Sequence, residues 1–218
     1  MKKVDIDKVY SILQKEVSTY RVPVVDLIKI QTDDPFKVLI ATILSARTKD
    51  ETTVNACKKL FNAVKTINDL DNLSVKEIEE LIFPVGFYHN KAKYLKQLPK
   101  ALMEKFDGKV PNTIDELLTL PGVGRKTANL VVTIAFNKPG ICVDVHVHRI
   151  SNRLGYIKTR TPLESEMALR KKLPEKYWTT YNSMLVMFGQ FLCRPINPYC
   201  SKCPVIKYCN RIGVRNSR

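Results

Sequence analysis

The chain has 218 residues, with 36 Lys plus Arg against 21 Asp plus Glu, a formal net charge of +15 and a pI near 9.6. That length suits one elaborated domain or two small ones, and the charge points to polyanions, nucleic acid before others. No run approaches the ~18 apolar residues of a membrane span, and the basic Met1-Lys2-Lys3 start is followed by no apolar stretch, so neither a membrane protein nor a secreted one is expected.

Helical periodicity dominates. The pattern predicts helices over roughly 5–19, 36–44, 50–64, 89–105, 125–136, 145–154, 163–172 and 177–191. Asp34-Pro35 reads as an N-cap with proline at the first helical position. Ser74-x-x-Glu77 and Thr113-x-x-Glu116 read as capping boxes, each leading into an apolar pattern. Pro99 falls inside the 89–105 segment and is expected to kink or split it. Lys91, Lys93, Lys96, Lys100 and Lys105 read as a solvated face of that helix, or as a stripe tracking phosphates. The only period-two stretch, Val143, Val145, Val147, is too short to demand a sheet. With no repeat and no Gly/Ser linker, the fold class is all-α with short polar turns.

Leu120-Pro121-Gly122-Val123-Gly124-Arg125-Lys126-Thr127-Ala128 is the first run that carries chemistry. Gly122 and Gly124 let the backbone turn tightly and lie against a ligand. The N–H groups of 122–127 stand at the positive end of a helix dipole, which suits a phosphate. A Walker loop requires glycine where Arg125 stands, and a dinucleotide fingerprint requires a small residue where Thr127 stands. An ordinary helix start after a turn also fits. Lys126 falls near the second helical position, where the dipole and Arg125 both oppose a cation and favour the neutral amine. It reads as a phosphate contact or as a nucleophile.

Cys193, Cys200, Cys203 and Cys209 follow the pattern C-x6-C-x2-C-x5-C. In a reducing compartment such a cluster serves a metal rather than disulfides. Spacing and ligand type leave zinc and a four-iron cluster open. Cys57 and Cys142 sit in apolar patterns and read as small core residues.

Three motifs in this order resemble the endonuclease III family of DNA glycosylases: the 120–128 hairpin, Pro139-Gly140-Ile141-Cys142-Val143-Asp144-Val145-His146, and the terminal four cysteines. The resemblance spans about Asp34 to Cys209. It implies a six-helix domain over 28–138 containing the helix-hairpin-helix. It also implies a second domain, 1–27 with 139–218, holding a [4Fe-4S] cluster on Cys193, Cys200, Cys203 and Cys209, with a DNA groove between the two. The implied activity is a bifunctional glycosylase and apurinic/apyrimidinic lyase acting on oxidised pyrimidines flipped out of duplex DNA. Lys126 would be the nucleophile and Asp144 the carboxylate beside it. Taken alone, Asp144 also reads as the N-cap of the 145–154 helix.

Gly122, Val123, Gly124, Arg125 and Thr127 would then meet DNA, with His146 near the site. His148, two residues on, reads as structural or as a surface histidine. Arg149 reads as a phosphate contact or as the partner of an acid. Ile43-Leu44-Ser45-Ala46-Arg47-Thr48-Lys49-Asp50 matches the loop that fills the hole left by the extruded base, with Arg47 where the family has glutamine. Gly86-Phe87-Tyr88-His89-Asn90-Lys91 matches a wedge loop, with Phe87 in place of an aliphatic residue. Phe87 and Tyr88 also read as core packing at a helix start. Pro99 and Val145 depart from the family pattern. The expected protein is a cytoplasmic, nucleoid-associated monomer of prokaryotic type. Its rivals are a monofunctional adenine or thymine mismatch glycosylase, which would lack the lysine, and a non-catalytic DNA-binding or redox-sensing protein.

Overall fold

The computed structural model describes residues 2–19 and 33–218. Among them every regular element is helical. The chain forms two compact units, Met1–Val22 with Pro139–Arg218, and Pro23–Lys138. The point at which the sequence reading divides them, between 27 and 28, lies outside the described residues.

The Pro23–Lys138 unit is organised around Pro35–Ser45. Asp34 caps this helix by accepting from the Phe36 N–H at 2.9 Å, and Pro35 supplies a pre-set first turn. Val38 through Leu44 are all buried, so the helix is apolar all round and takes the centre of the core. It packs against Arg125–Phe136, Asp50–Ala63 and Tyr88–Phe106. Ser74 and Glu77 form a reciprocal capping box at the head of Val75–Ile82. A second box, Thr66 with Asp69, starts the six-residue helix Ile67–Asn72. Thr113 also caps, accepting from the Glu116 N–H, but its helix Ile114–Leu117 lasts a single turn. Counting that turn, the unit has seven helical segments among its described residues.

Tyr88–Phe106 is not split at Pro99. The proline removes one N–H from the ladder, but it is buried within a face made by Ala92, Leu95, Leu98 and Leu102. Packing of that face outweighs the lost bond, since each fully buried aliphatic side chain is worth about 1.5–3 kcal/mol.

In the other unit, Ile6–Val17, Val145–Leu154, Pro162–Lys172 and Trp178–Phe191 surround a core that includes Leu13, Ile150, Tyr181, Leu185 and Phe188. Tyr181 is fully buried and its hydroxyl meets Ser151 Oγ at 3.1 Å, which satisfies both groups. The C-terminal segment returns to this unit. The Asn210 amide donates to Lys2 O and Leu154 O, each at 3.0 Å.

Candidate active site and four-cysteine cavity

The hairpin runs from Ile114–Leu117 through Gly122 and Gly124 into Arg125–Phe136. Gly122 holds φ +76°, and a Cβ there would lie 2.9 Å from the Tyr94 ring, so conformation and space both require glycine. At Gly124 a Cβ would meet nothing within 4 Å, so this stretch of backbone is open to approach. Gly124 is the N-cap, and no side chain caps the helix there. The Val123 side chain is buried in the core, and its N–H donates to Leu120 O at 3.3 Å. That donor is engaged within the hairpin and is not available to a phosphate.

Lys126 takes the second helical position and is exposed. Its charge acts on Asp50, the first residue of Asp50–Ala63. Asp50 is open to solvent along one side, yet desolvation by the atoms around it raises its carboxyl pKa, and the Lys126 charge pulls the other way. Asp50 carries no signal of its own in the sequence, because nothing in spacing links positions 50 and 126.

Asp144, in the other unit, is the N-cap of Val145–Leu154. Its Oδ1 accepts from the His146 N–H at 2.8 Å and the Val147 N–H at 2.9 Å. The carboxylate is thereby fixed in place at a helix N-terminus. His146 Nδ1 lies 3.1 Å from Arg149 Nη2. His148 instead meets Ser165 Oγ at 2.7 Å, as a structural histidine. Arg149 stands within the field of the Asp144 carboxylate. It is half-buried and donates to Cys193 O at 3.0 Å and Gly189 O at 3.4 Å. Burial lowers its pKa, while the charges of Cys193 and Asp144 oppose that shift. These carbonyl contacts bind the Asp144 helix to the start of the cysteine segment.

The two loops of the Pro23–Lys138 unit meet. Arg47 and Phe87 both adopt left-handed backbone, at φ 54° and 59°. The Arg47 guanidinium stands 5.5 Å from the centroid of the Phe87 ring, a cation–π contact. Phe87 is 58% exposed, so the core-packing reading of Phe87 fails, while Tyr88 does pack on the core. Lys91 is the clearest correction. Read as part of a solvated face, it is only 5% exposed, and its ammonium donates to Leu44 O, Ala46 O and Thr48 Oγ1. The acceptors come from the end of Pro35–Ser45 and the loop after it, more than forty residues away in the chain, so helix periodicity gave no hint of them.

Cys193, Cys200, Cys203 and Cys209 line one cavity with the apolar side chains of Ile150, Leu154 and Phe188. All six cysteines are free, and Cys57 and Cys142 are buried in the cores. Burial pushes the Cys203 thiol up to about 12, and the charges of Cys193, Cys209 and Cys200 add to the push. The four sulfurs therefore share one electrostatic environment, in which iron would offset their mutual repulsion. N–H donors already point at them: Arg211 N–H to Cys209 Sγ at 3.3 Å, and Arg153 Nη1 to Cys193 Sγ at 3.6 Å. Among the described residues no three His, Cys, Asp or Glu side chains converge as the ligands of a single ion. Four soft donors, an apolar wall and N–H···S contacts together fit an iron–sulfur cluster.

Among the described residues no helix is long and apolar enough to cross a membrane. Residues 40–175 match the HhH-GPD superfamily of base excision DNA repair proteins. Endonuclease III of Thermotoga maritima is 49% identical over 176 residues, covering 81% of this chain and 83% of its own. Endonuclease III of Bacillus subtilis is 40% identical, covering 85% of each. The protein of a solved non-covalent endonuclease III–DNA complex superposes with a TM-score of 0.84 at 35% identity, over 96% of this chain and 97% of that one. The helix-hairpin-helix, the capped aspartate and the four-cysteine segment occur together in a chain this similar; it belongs to the endonuclease III family of base excision repair DNA glycosylases and lyases, within the HhH-GPD superfamily.

Proposed function

We propose that the protein removes oxidised pyrimidines from duplex DNA and then cleaves the strand, with Lys126 as nucleophile and Asp144 as its carboxylate partner. The observation that carries the reading is an exposed lysine in the first turn of a helix opened by Gly122 and Gly124, in a chain of the endonuclease III family. The damaged nucleotide leaves the stack, because C1′ cannot be reached within it. The neutral Lys126 amine forms a bond to C1′ as the C1′–N bond to the base breaks, and the base departs with a proton. Loss of a proton from nitrogen and ring opening give the iminium. It acidifies the C2′ hydrogen, whose removal expels the 3′ phosphate by β-elimination. Water then releases the sugar and restores Lys126. Asp144 offsets positive charge at the sugar during departure and takes the lysine proton.

Gly122, Gly124, Arg125 and Thr127 form the phosphate-facing edge of the hairpin, which Val123 anchors in the core, and a net charge of +15 supports such a partner. Arg47 and Phe87 occupy the space beside the extruded base, with His146 near the reacting sugar. Cys193, Cys200, Cys203 and Cys209 hold a [4Fe-4S] cluster, which supplies a covalent cross-link fixing the 193–209 segment. Its loop, Arg194 to Tyr199, carries Arg194 over the Tyr199 ring and Ile196 at 81% exposure, a surface suited to DNA. The protein acts on DNA as a monomer.

Borohydride trapping tests the reaction on duplexes bearing thymine glycol, an abasic site or no damage. Wild type should form a covalent adduct with the first two, Lys126→Ala with neither, and Asp144→Asn with greatly reduced yield. Adduct on the abasic site alone would replace the assigned base substrate. Adduct surviving in Lys126→Ala would remove the lysine from its role.

A further inference from the structure

Lys91 is a buried ammonium that the proposed chemistry does not use. It lies in the second turn of Tyr88–Phe106 and reaches the end of Pro35–Ser45. There it donates to Leu44 O at 2.7 Å, Ala46 O at 2.6 Å and Thr48 Oγ1 at 3.1 Å. An ammonium has three donors, and these acceptors take all three. Each acceptor is a neutral oxygen, so this is a capping interaction at a helix C-terminus, where a cation is favoured. The residues bonded flank Arg47 on both sides.

The same lysine is joined to the other loop. Its backbone N–H donates to Phe87 O at 3.1 Å. Thr48 Oγ1, which accepts from the ammonium, also accepts from the Gly86 N–H at 3.2 Å. A Cβ on Gly86 would lie 2.5 Å from Arg47 O, so only glycine lets the two loops approach this closely. Arg47 and Phe87 are both left-handed residues other than glycine, a conformation that persists only where neighbouring contacts enforce it.

We infer that Lys91 is a positioning residue that fastens the Arg47 and Phe87 loops into one rigid element, setting how that element enters the duplex beside an extruded base. The inference rests on the reading of Arg47 and Phe87 as residues that occupy the stack. A lysine that merely stabilised the unit would affect every substrate equally. A lysine that positions the pair acts only where there is a duplex stack to fill.

The test compares kcat/KM on a thymine glycol duplex with the rate of borohydride trapping on a single-stranded abasic oligonucleotide. Variants are Lys91→Met, Thr48→Val, Arg47→Ala and Phe87→Ala, each with its melting temperature. Lys91→Met should lower duplex kcat/KM by about tenfold or more, since small misplacements of positioning groups have effects of that order. Its single-stranded rate should stay within about twofold of wild type. Thr48→Val, a milder lesion in the same network, should move the ratio the same way by a smaller factor, and it decides the matter if Lys91→Met does not fold. Equal loss on both substrates in Lys91→Met, with Thr48→Val unchanged, would reduce the lysine to a stabilising role. If Arg47→Ala and Phe87→Ala lower the duplex rate relative to the single-stranded one and the Lys91 and Thr48 variants do not, the inference alone falls. If Arg47→Ala and Phe87→Ala leave that ratio unchanged, the reading of the loops falls and the inference with it.

Discussion

Gly122 shows how much one residue determines at the hairpin. Its φ of +76° lies where a Cβ is opposed by the following carbonyl, and its missing side chain is the space taken by Tyr94. Gly122→Ala should therefore destabilise the protein by roughly 1–2 kcal/mol from conformation alone, with the Tyr94 contact adding to it. Urea denaturation checks this, and the double variant with Tyr94→Ala separates the two causes. Relief of the ring contact should restore only part of the loss, because the backbone strain persists. The same substitution should weaken binding to undamaged duplex, since it moves the backbone proposed to face phosphate. A stable Gly122→Ala protein with unchanged affinity would show that the hairpin geometry is not required. Gly124 differs: its φ is −96° and a Cβ there meets no neighbour. Gly124→Ala should leave stability nearly unchanged, so any loss of affinity reports a ligand in the open space beside it.

At the scale of elements, short polar caps determine where helices start. Ser74 Oγ accepts from the Glu77 N–H at 3.3 Å, and the Glu77 carboxylate accepts from the Ser74 N–H at 2.7 Å. Hydrogen bonding to the Ser74 side chain, and then to the Ser74 backbone N–H, holds the Glu77 carboxyl below its ordinary pKa. Ser74→Ala should cost about 1 kcal/mol in urea denaturation, the usual worth of such a cap. This box was legible in the sequence because both partners lie within one turn. The Ile67–Asn72 helix was not, since it is six residues long and its box uses Asp69 where Glu or Gln is the usual signal. The split that Pro99 could have caused is absent for a different reason: helix chemistry argues locally, whereas burial of its face is tertiary. The Gly122 turn, the Asp144 cap and the gathering of the four cysteines were legible because each is carried by spacing along the chain. Lys91 and Asp50 were not, because each owes its environment to residues distant in sequence, Leu44 through Thr48 for one and Lys126 for the other.

For the molecule as a whole, the cysteine segment and the net charge make separate demands. The regular structure of Cys193 through Cys209 is limited to the short turns Cys200–Lys202 and Ile206–Tyr208, so the proposed cluster would tie together turns that no longer element spans. Cys203→Ser should lose iron and the broad absorbance near ~400 nm, and should lower the melting temperature. Retained colour would reject Cys203 as a ligand. The net charge of +15 acts through counterion release instead. Affinity for undamaged duplex should fall linearly on a plot of log K against log salt, with a slope of about −0.9 for each phosphate neutralised. Arg125 opens the hairpin helix beside the backbone proposed to face phosphate. Arg125→Ala should make the slope shallower by about 1 and weaken binding to all sequences alike, because a phosphate contact carries no base information. Lys138, which donates to Asn112 Oδ1 at 2.5 Å at the far end of that helix, serves as the comparison. Lys138→Ala removes the same charge from the molecule, so it should shift overall affinity slightly and leave the slope in place. An equal change of slope in both variants would mean that diffuse charge, rather than the hairpin, holds the DNA.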